Sequence, residues 1–279
     1  MLAATSAPFV PLYAGLAGIL RRPVPTLIVD GPAVVVAPHP DDEVAGVGGI
    51  VAQHVRSGAP VTVLVCTDGS ASRAVPGSAT DRAATRRAEC EAAQRVLGTG
   101  LVWLGVPERL DLDVDDLADR LAPLLVGARV VYAPSRVDFH PGHRAVAAAL
   151  ARVIRDDQEV RAFATSVPIG SLATHVSDIG AVDSIVRGAT AAYATQERTL
   201  WCMARQRRYV AAFHGVGSSA EAVWVLSGDR YRALHAGPPT SWPDAFRGLR
   251  PHALTDPFAW WVGRDERARL ADAGRSQPP

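Results

Sequence analysis

Two short segments carry the residues of this chain that could do chemistry. Ala37-Pro38-His39-Pro40-Asp41-Asp42-Glu43 sets one histidine beside three carboxylates, and Asp138-Phe139-His140-Pro141-Gly142-His143 sets two histidines beside one carboxylate. A catalytic zinc takes three such protein ligands and keeps a fourth position open. We take His39, Asp42 and His143 as that set. Asp41 then lies beside the activated water as a general base, and zinc brings the pKa of that water to about 7. His140, protonated or as an N–H donor, faces the metal from the other side and stabilises the oxyanion of a tetrahedral intermediate. The chemistry implied is hydrolysis of an amide or ester. Plainer readings stand beside it: Asp41 or Asp42 as a helix N-cap, or the Asp-Asp-Glu run as a solvated face or a magnesium site.

These residues need elements to place them. Each segment follows an apolar run, Ala33–Val36 and Val130–Ala133. Each runs into small or apolar residues with helical spacing, such as Val146, Leu150 and Ile154. A proline after His39 and after His140 keeps each histidine extended at its strand end. Asp42 and His143 each lie three residues on, at a helix start, which favours a charged Asp42 and a neutral His143. Strands are expected at Ala33–Ala37, Val61–Cys66, Leu101–Leu104 and Arg129–Ala133, with helices at Glu43–Arg56, Asp81–Leu97, Val114–Leu125 and His143–Arg155. This alternation predicts an α/β fold, a Rossmann-like and mostly parallel sheet flanked by helices. Ligands in such sheets bind outside the carboxyl ends of the strands. Further on, Ile179–Tyr193 and Glu197–Phe213 read as helices and Ala222–Leu226 as a strand. No long linker interrupts the chain, so residues 31–265 are expected to form one domain, preceded by an extension (1–30) with a short helix near Phe9–Leu20 and followed by a tail (266–279).

Composition narrows the classes. The chain has 279 residues, 48% hydrophobic and 20% charged, with a net charge of +1, ordinary for a globular protein. No basic run tracks a phosphate backbone, so nucleic acid is not expected as a partner. All 29 basic residues are Arg, so neither a lysine Schiff base nor a P-loop lysine operates here. Cys66, Cys90 and Cys202 form no CxxC pair or disulfide framework, which fits a reduced, cytoplasmic setting. Phe9–Leu20 is too short to span a bilayer and lacks a basic flank, so no membrane span or signal peptide is expected.

The ordered motifs resemble the PIG-L (LmbE-like) de-N-acetylases. His39-Pro40-Asp41-Asp42-Glu43 with Gly48-Gly49 is similar to the first signature of that family, and Asp138-x-His140-Pro141-x-His143 to its second. Thr67-Asp68-Gly69, Arg86 and Glu89, Leu104-Gly105 with Glu108, Val176-Ser177-Asp178-Ile179 and Tyr193-Ala194-Thr195-Gln196 resemble its intervening and later segments. The resemblance implies an LmbE-like fold and a Zn2+-dependent hydrolase, with Fe2+ or Co2+ able to occupy the same ligands. Such an enzyme removes an N-acetyl or N-acyl group from an N-acetylglucosamine-type amino sugar in a glycoconjugate or natural product. It implies His39, Asp42 and His143 as metal ligands, Asp41 as base and then acid, His140 as oxyanion stabiliser, and Arg86 and Glu108 as sugar contacts. The plainer readings are an ion pair on the surface for Arg86–Glu89 and a loop carboxylate for Glu108. One departure matters: the family usually places Asp where this chain has Gly142, to hold His140 protonated; either Asp138 substitutes or His140 is less basic, and activity is expected to persist but to be weaker or shifted in pH optimum. Other functions consistent with the motifs are an amidase on sugar–thiol conjugates, a non-catalytic sugar-binding homologue, and, less in keeping with them, a nucleotide-binding enzyme.

Other features read as structure. Gly46-x-Gly48-Gly49 suits close helix packing better than phosphate binding. His54, His175, His214, His235 and His252 lack ligand spacing. Trp201, Trp224, Trp242, Trp260 and Trp261 could line a sugar rim but individually suit core packing. Ser70 and Ser72 give little support to a serine triad.

Overall fold

The computed structural model describes residues 23–236 except 110, 136–137, 139 and 166–172; of residues 198, 199, 201, 202 and 205 only the backbone is described. The expected helix near Phe9–Leu20, the C-terminal tail, His252 and Trp242, Trp260 and Trp261 lie outside the described residues, as does the side chain of Trp201.

Seven strands are β1 (Ala33–Ala37), β2 (Val61–Thr67), β3 (Gly100–Val106), β4 (Val130–Pro134), β5 (Glu159–Phe163), β6 (His175–Asp178) and β7 (Ala220–Ser227). They form one sheet in the order β3-β2-β1-β4-β5-β7-β6. β1 to β5 are parallel, and β7 runs antiparallel to both β5 and β6. The expected strands lie within a residue or two of their observed limits. β5 and β6 were not expected from the sequence. β5 carries Glu159 and Arg161 inside a five-residue strand, and β6 is only four residues with three polar side chains. Neither shows the apolar run that marks a buried strand. Residues 25–27 cover the β6 edge, with Leu27 N–H donating to the Val176 carbonyl at 2.8 Å and Val176 N–H to the Pro25 carbonyl at 3.0 Å.

The helices are α1 (Asp42–Arg56), α2 (Ala79–Leu97), α3 (Val114–Leu121), α4 (Pro141–Val153), α5 (Asp183–Ala192), α6 (Glu197–His214) and α7 (Gly228–His235). Ser78 caps α2 in a reciprocal box with Asp81, which starts that helix earlier than Asp81 itself. α3 ends at Leu121 and gives way to a 3-10 turn, Ala122–Leu125, because Pro123 cannot continue the hydrogen-bond ladder. α4 begins at Pro141, a residue with no N–H to leave unpaired at a helix start. The expected helix Ile179–Tyr193 is a 3-10 turn, Gly180–Val182, followed by α5.

Central strands are buried on both faces. Val36, Leu64, Val131 and Ala133 face one core with α3, α4 and α7; Val35, Ala37, Val63, Val65 and Tyr132 face the other with α1, α2 and α5. The glycines of α1 let it lie close: a Cβ at Gly46 would stand 2.3 Å from the Phe163 ring and one at Gly49 2.6 Å from Ile179. Chain order reverses between β1 and β4, and both sequence motifs leave the sheet at the carboxyl ends of these two strands. That crevice is where open α/β sheets bind ligands.

Candidate metal centre and its surroundings

His39 Nδ1, Asp42 Oδ2 and His143 Nε2 form a closed triangle: 3.1 Å from His39 to Asp42, 3.0 Å from His39 to His143, and 3.1 Å from His143 to Asp42. Tetrahedral bonds of about 2.05 Å would set such atoms roughly 3.3 Å apart. Two ring nitrogens and one carboxylate oxygen thus converge to within a few tenths of an ångström of a metal's coordination triangle. His39, His140 and His143 also form a looser group, with one nitrogen from each within 4.8 Å. The tighter triangle is the better cradle, because His140 is exposed and its Nδ1 already accepts Gly142 N–H at 3.2 Å.

Each of the two histidines of the triangle has a carboxylate behind it. Asp138 Oδ2 lies 2.9 Å from His143 Nδ1, and Glu108 Oε1 lies 3.3 Å from His39 Nε2. The Glu108 contact falls off the hydrogen-bond line, so it is the weaker of the two. Such partners fix ring orientation and raise ligand basicity. Thr165 joins the loops: its hydroxyl lies 3.1 Å from Asp42 Oδ1 and 3.3 Å from Asp138 Oδ2, and its N–H donates to Asp138 Oδ2 at 3.0 Å. Thr165 was not expected from the sequence; it sits two residues beyond β5, and recognising that strand is the only signal that could have found it.

Of the two alternatives at His140, the surroundings favour the less basic ring: Asp138 Oδ1 accepts the His140 backbone N–H at 3.2 Å, and its Oδ2 faces His143. Burial together with the His39 and His143 charges pushes the His140 pKa down to about 4, so this ring is neutral. With Nδ1 accepting from Gly142, its proton sits on Nε2. At His143 burial opposes the charged form, but Asp138 and Asp42 outweigh burial and raise its pKa well above the usual histidine range. Burial likewise opposes charge on His39, yet Asp42 and Glu108 hold it up at about 9.

Asp41 occupies the N-cap position of α1 but makes no side-chain cap bond, with φ 108° and ψ −22°. Among the described residues it is the one non-glycine with positive φ. Such a backbone costs about 1–3 kcal/mol and persists where its surroundings over-determine it. Arg86, 3% exposed, does so here. Its Nη2 donates to the Pro40 carbonyl and, at 2.9 Å, to Asp41 Oδ2. Arg86 Nη1 donates to Glu89 at 3.0 Å, and Glu89 accepts the N–H (2.7 Å) and hydroxyl (2.8 Å) of Thr195. The Arg86–Glu89 pair is thus buried rather than on the surface. Glu43 accepts Asp41 N–H (3.2 Å), Gln94 Nε2 (2.8 Å) and the Tyr193 hydroxyl (2.7 Å). Burial drives the Asp41 pKa up, Arg86 opposes it, and Asp42 and Glu43 add to the rise, leaving it at about 7. That is the range of an effective general base.

Asp68 ties the β2 loop to the β3 loop, accepting Ser70 N–H at 2.9 Å and Glu108 N–H at 3.0 Å. The Ser72 hydroxyl accepts Gln196 Nε2 at 3.1 Å. Among the described residues, His54, His175, His214 and His235 join no metal-like group. Trp224 is fully buried in the core. No described helix is long and apolar enough to cross a membrane.

Residues 34–154 match the PIG-L family model, described as GlcNAc-PI de-N-acetylase. No curated protein matches the chain. Among solved structures, N,N'-diacetylchitobiose deacetylase from Pyrococcus horikoshii is similar with a TM-score of 0.61 at 20% identity, over 72% of this chain and 85% of that one. A conserved protein from Thermus thermophilus is similar with a TM-score of 0.56 at 28% identity, over 69% of this chain and 93% of that one. The 4-carboxy-2-hydroxymuconate hydratase from Pseudomonas putida is similar with a TM-score of 0.58 at 21% identity, over 70% of this chain and 95% of that one. The fold therefore hosts more than one reaction, and the choice must come from the site.

Proposed function

Residues 34–154 are a PIG-L domain, and from that premise we propose that the protein is a metal-dependent N-deacylase acting on an N-acetylglucosamine-type amino sugar. The observation that carries this is the His39–Asp42–His143 triangle with Asp41 clamped beside it. A divalent ion, zinc or a relative of it, would be held by His39 Nδ1, Asp42 Oδ2 and His143 Nε2, and when bound supplies a Lewis acid that polarises a carbonyl and acidifies water.

The remaining work falls to the chain's own side chains. Arg86 holds Asp41 Oδ2, so Asp41 presents its other oxygen to the attacking water, takes its proton, and returns it to the departing amine. A pKa near neutrality suits both transfers. His140 Nε2–H, on the exposed side of the cluster, is the donor for oxygen charge that develops on the former amide carbonyl. The products are a free amine and a carboxylate. Glu108 and Asp138 orient the ligand rings.

The test is amine release from a panel of N-acetylglucosaminyl compounds by zinc-loaded protein, with Asp41→Asn as control. Turnover that disappears in Asp41→Asn while zinc binding persists supports the reading. Turnover that survives Asp41→Asn removes Asp41 from the mechanism, and tight zinc binding without turnover on any amide favours a binding role.

A further inference from the structure

Helix α1 is broken at Val47 (φ −141°, ψ 19°), one turn beyond the candidate metal ligand Asp42. Two buried charges from distant parts of the chain bridge the break. Glu221, on β7 and 3% exposed, accepts the backbone N–H of Gly49 at 3.0 Å and of Ile50 at 2.9 Å. Arg207, on α6 and 6% exposed, donates from Nη2 to the Val44 carbonyl and, at 3.4 Å, to that of Ala45. Arg207 Nε closes the pair onto Glu221 Oε1 at 2.8 Å. In a regular helix Gly49 N–H would bond the Ala45 carbonyl. Here the anion serves the N–H groups behind the break and the cation serves the carbonyl groups ahead of it.

A buried ion pair is a costly way to fill space, and apolar residues of similar volume often serve stability as well or better. The geometry of the break gives a reason for the expense. The segment ahead of it carries Asp42 and Glu43 in its first turn and Asp41 at its cap. The segment behind it is fixed to the body of the domain, with Gly49 against Ile179. Without a bridge, the angle between the two would be set only by side-chain packing.

We propose that Arg207–Glu221 is a positioning pair for the metal-ligand turn, fixing the first turn of α1 so that Asp42 Oδ2 meets His39 and His143. The proposal rests on the metal reading of that triangle. The pair touches no ligand atom, so its effect on metal binding is indirect.

The test compares zinc affinity, by competition with a chromophoric chelator, in wild type, Glu221→Gln, Arg207→Lys and Leu121→Ala. Leu121 is a fully buried residue of α3 on the opposite face of the sheet, and its truncation reports destabilisation alone. We expect Glu221→Gln to weaken zinc binding at least tenfold in protein that remains folded by circular dichroism, with amide exchange accelerated first in peptides covering residues 41–50. Arg207→Lys keeps the charge but loses the fork, and falls between. Leu121→Ala keeps wild-type affinity at a lowered melting temperature. If Glu221→Gln does not fold, Arg207→Lys carries the comparison. Equal zinc affinity in these variants and wild type overturns the positioning role alone. A wild type that binds no zinc overturns the metal reading, and this proposal with it.

Discussion

Asp138 stands directly behind His143, with Oδ2 2.9 Å from Nδ1, although the sequence places it closer to His140. Both partners are buried. Removing the charge while keeping the shape should loosen the ring of this proposed metal ligand. We expect Asp138→Asn to weaken zinc binding about 10–100-fold, the range for a lost outer partner of a ligand histidine. Glu108→Gln should cost less, because its contact is longer and less aligned. Chelator competition reads both, and an unchanged affinity in Asp138→Asn would remove this residue from the centre.

Arg86 distinguishes a clamp from a substrate contact. If it holds Asp41, then Arg86→Met should lower kcat on an N-acetylglucosaminyl substrate by about 100-fold, the scale of a misplaced reacting group, with zinc affinity nearly intact. A rise in KM with kcat preserved would instead return Arg86 to the sugar-contact role that the family resemblance implies.

Gly142 sits close against two of the histidines. A Cβ there would stand 3.0 Å from His39 Nε2 and 3.2 Å from His140 Nδ1. Gly142→Ala should therefore displace His39 and weaken zinc binding several-fold, and Gly142→Asp should not raise activity. A gain of turnover in Gly142→Asp would show that the crowding is relieved and that His140 lacks a carboxylate it can use.

His54 sets a pH dependence of stability away from the centre. It is fully buried; its Nδ1–H donates to the Gly31 carbonyl at 3.0 Å, and its Nε2 accepts from the Tyr132 hydroxyl at 2.9 Å. Tyr132 in turn accepts Arg161 Nη1 at 2.7 Å. Burial first, and the Arg161 cation second, lower the His54 pKa to about 4. The unfolded chain titrates near 6.5 and so binds the proton first. This contribution is complete above about pH 6.5 and is lost as pH falls toward 4, amounting to about 3 kcal/mol. Urea midpoints of wild type and His54→Asn at pH 7, 5.5 and 4.5 check it. The gap between the two proteins should shrink toward pH 4.5, and a constant gap would rule His54 out as the source.

Local spacing made much of this molecule legible. Short apolar runs marked β1 to β4, helical spacing marked α1 to α4, and the prolines after His39 and His140 marked both strand ends, because those constraints act over a few residues. The same range sets the Asp42 contact with His39, three positions away. Charged β5 and four-residue β6 lacked that mark, since Arg161 is acceptable inside a sheet only where Tyr132 and Glu159 meet it.

By itself, then, the sequence determined the parallel α/β framework and brought forward His39, Asp41, Asp42, His140 and His143 as candidates. Only the tertiary structure decided what each of them faces. Glu43 meets Tyr193 across 150 positions, and Asp42 meets Thr165 across 123. Strand order brings those groups together, and no pattern of period 2 or 3.6 carries that information. What each carboxylate can do depends on the partner the sheet delivers: Asp42 faces two imidazoles, Asp41 a buried guanidinium, and Asp138 the far side of His143.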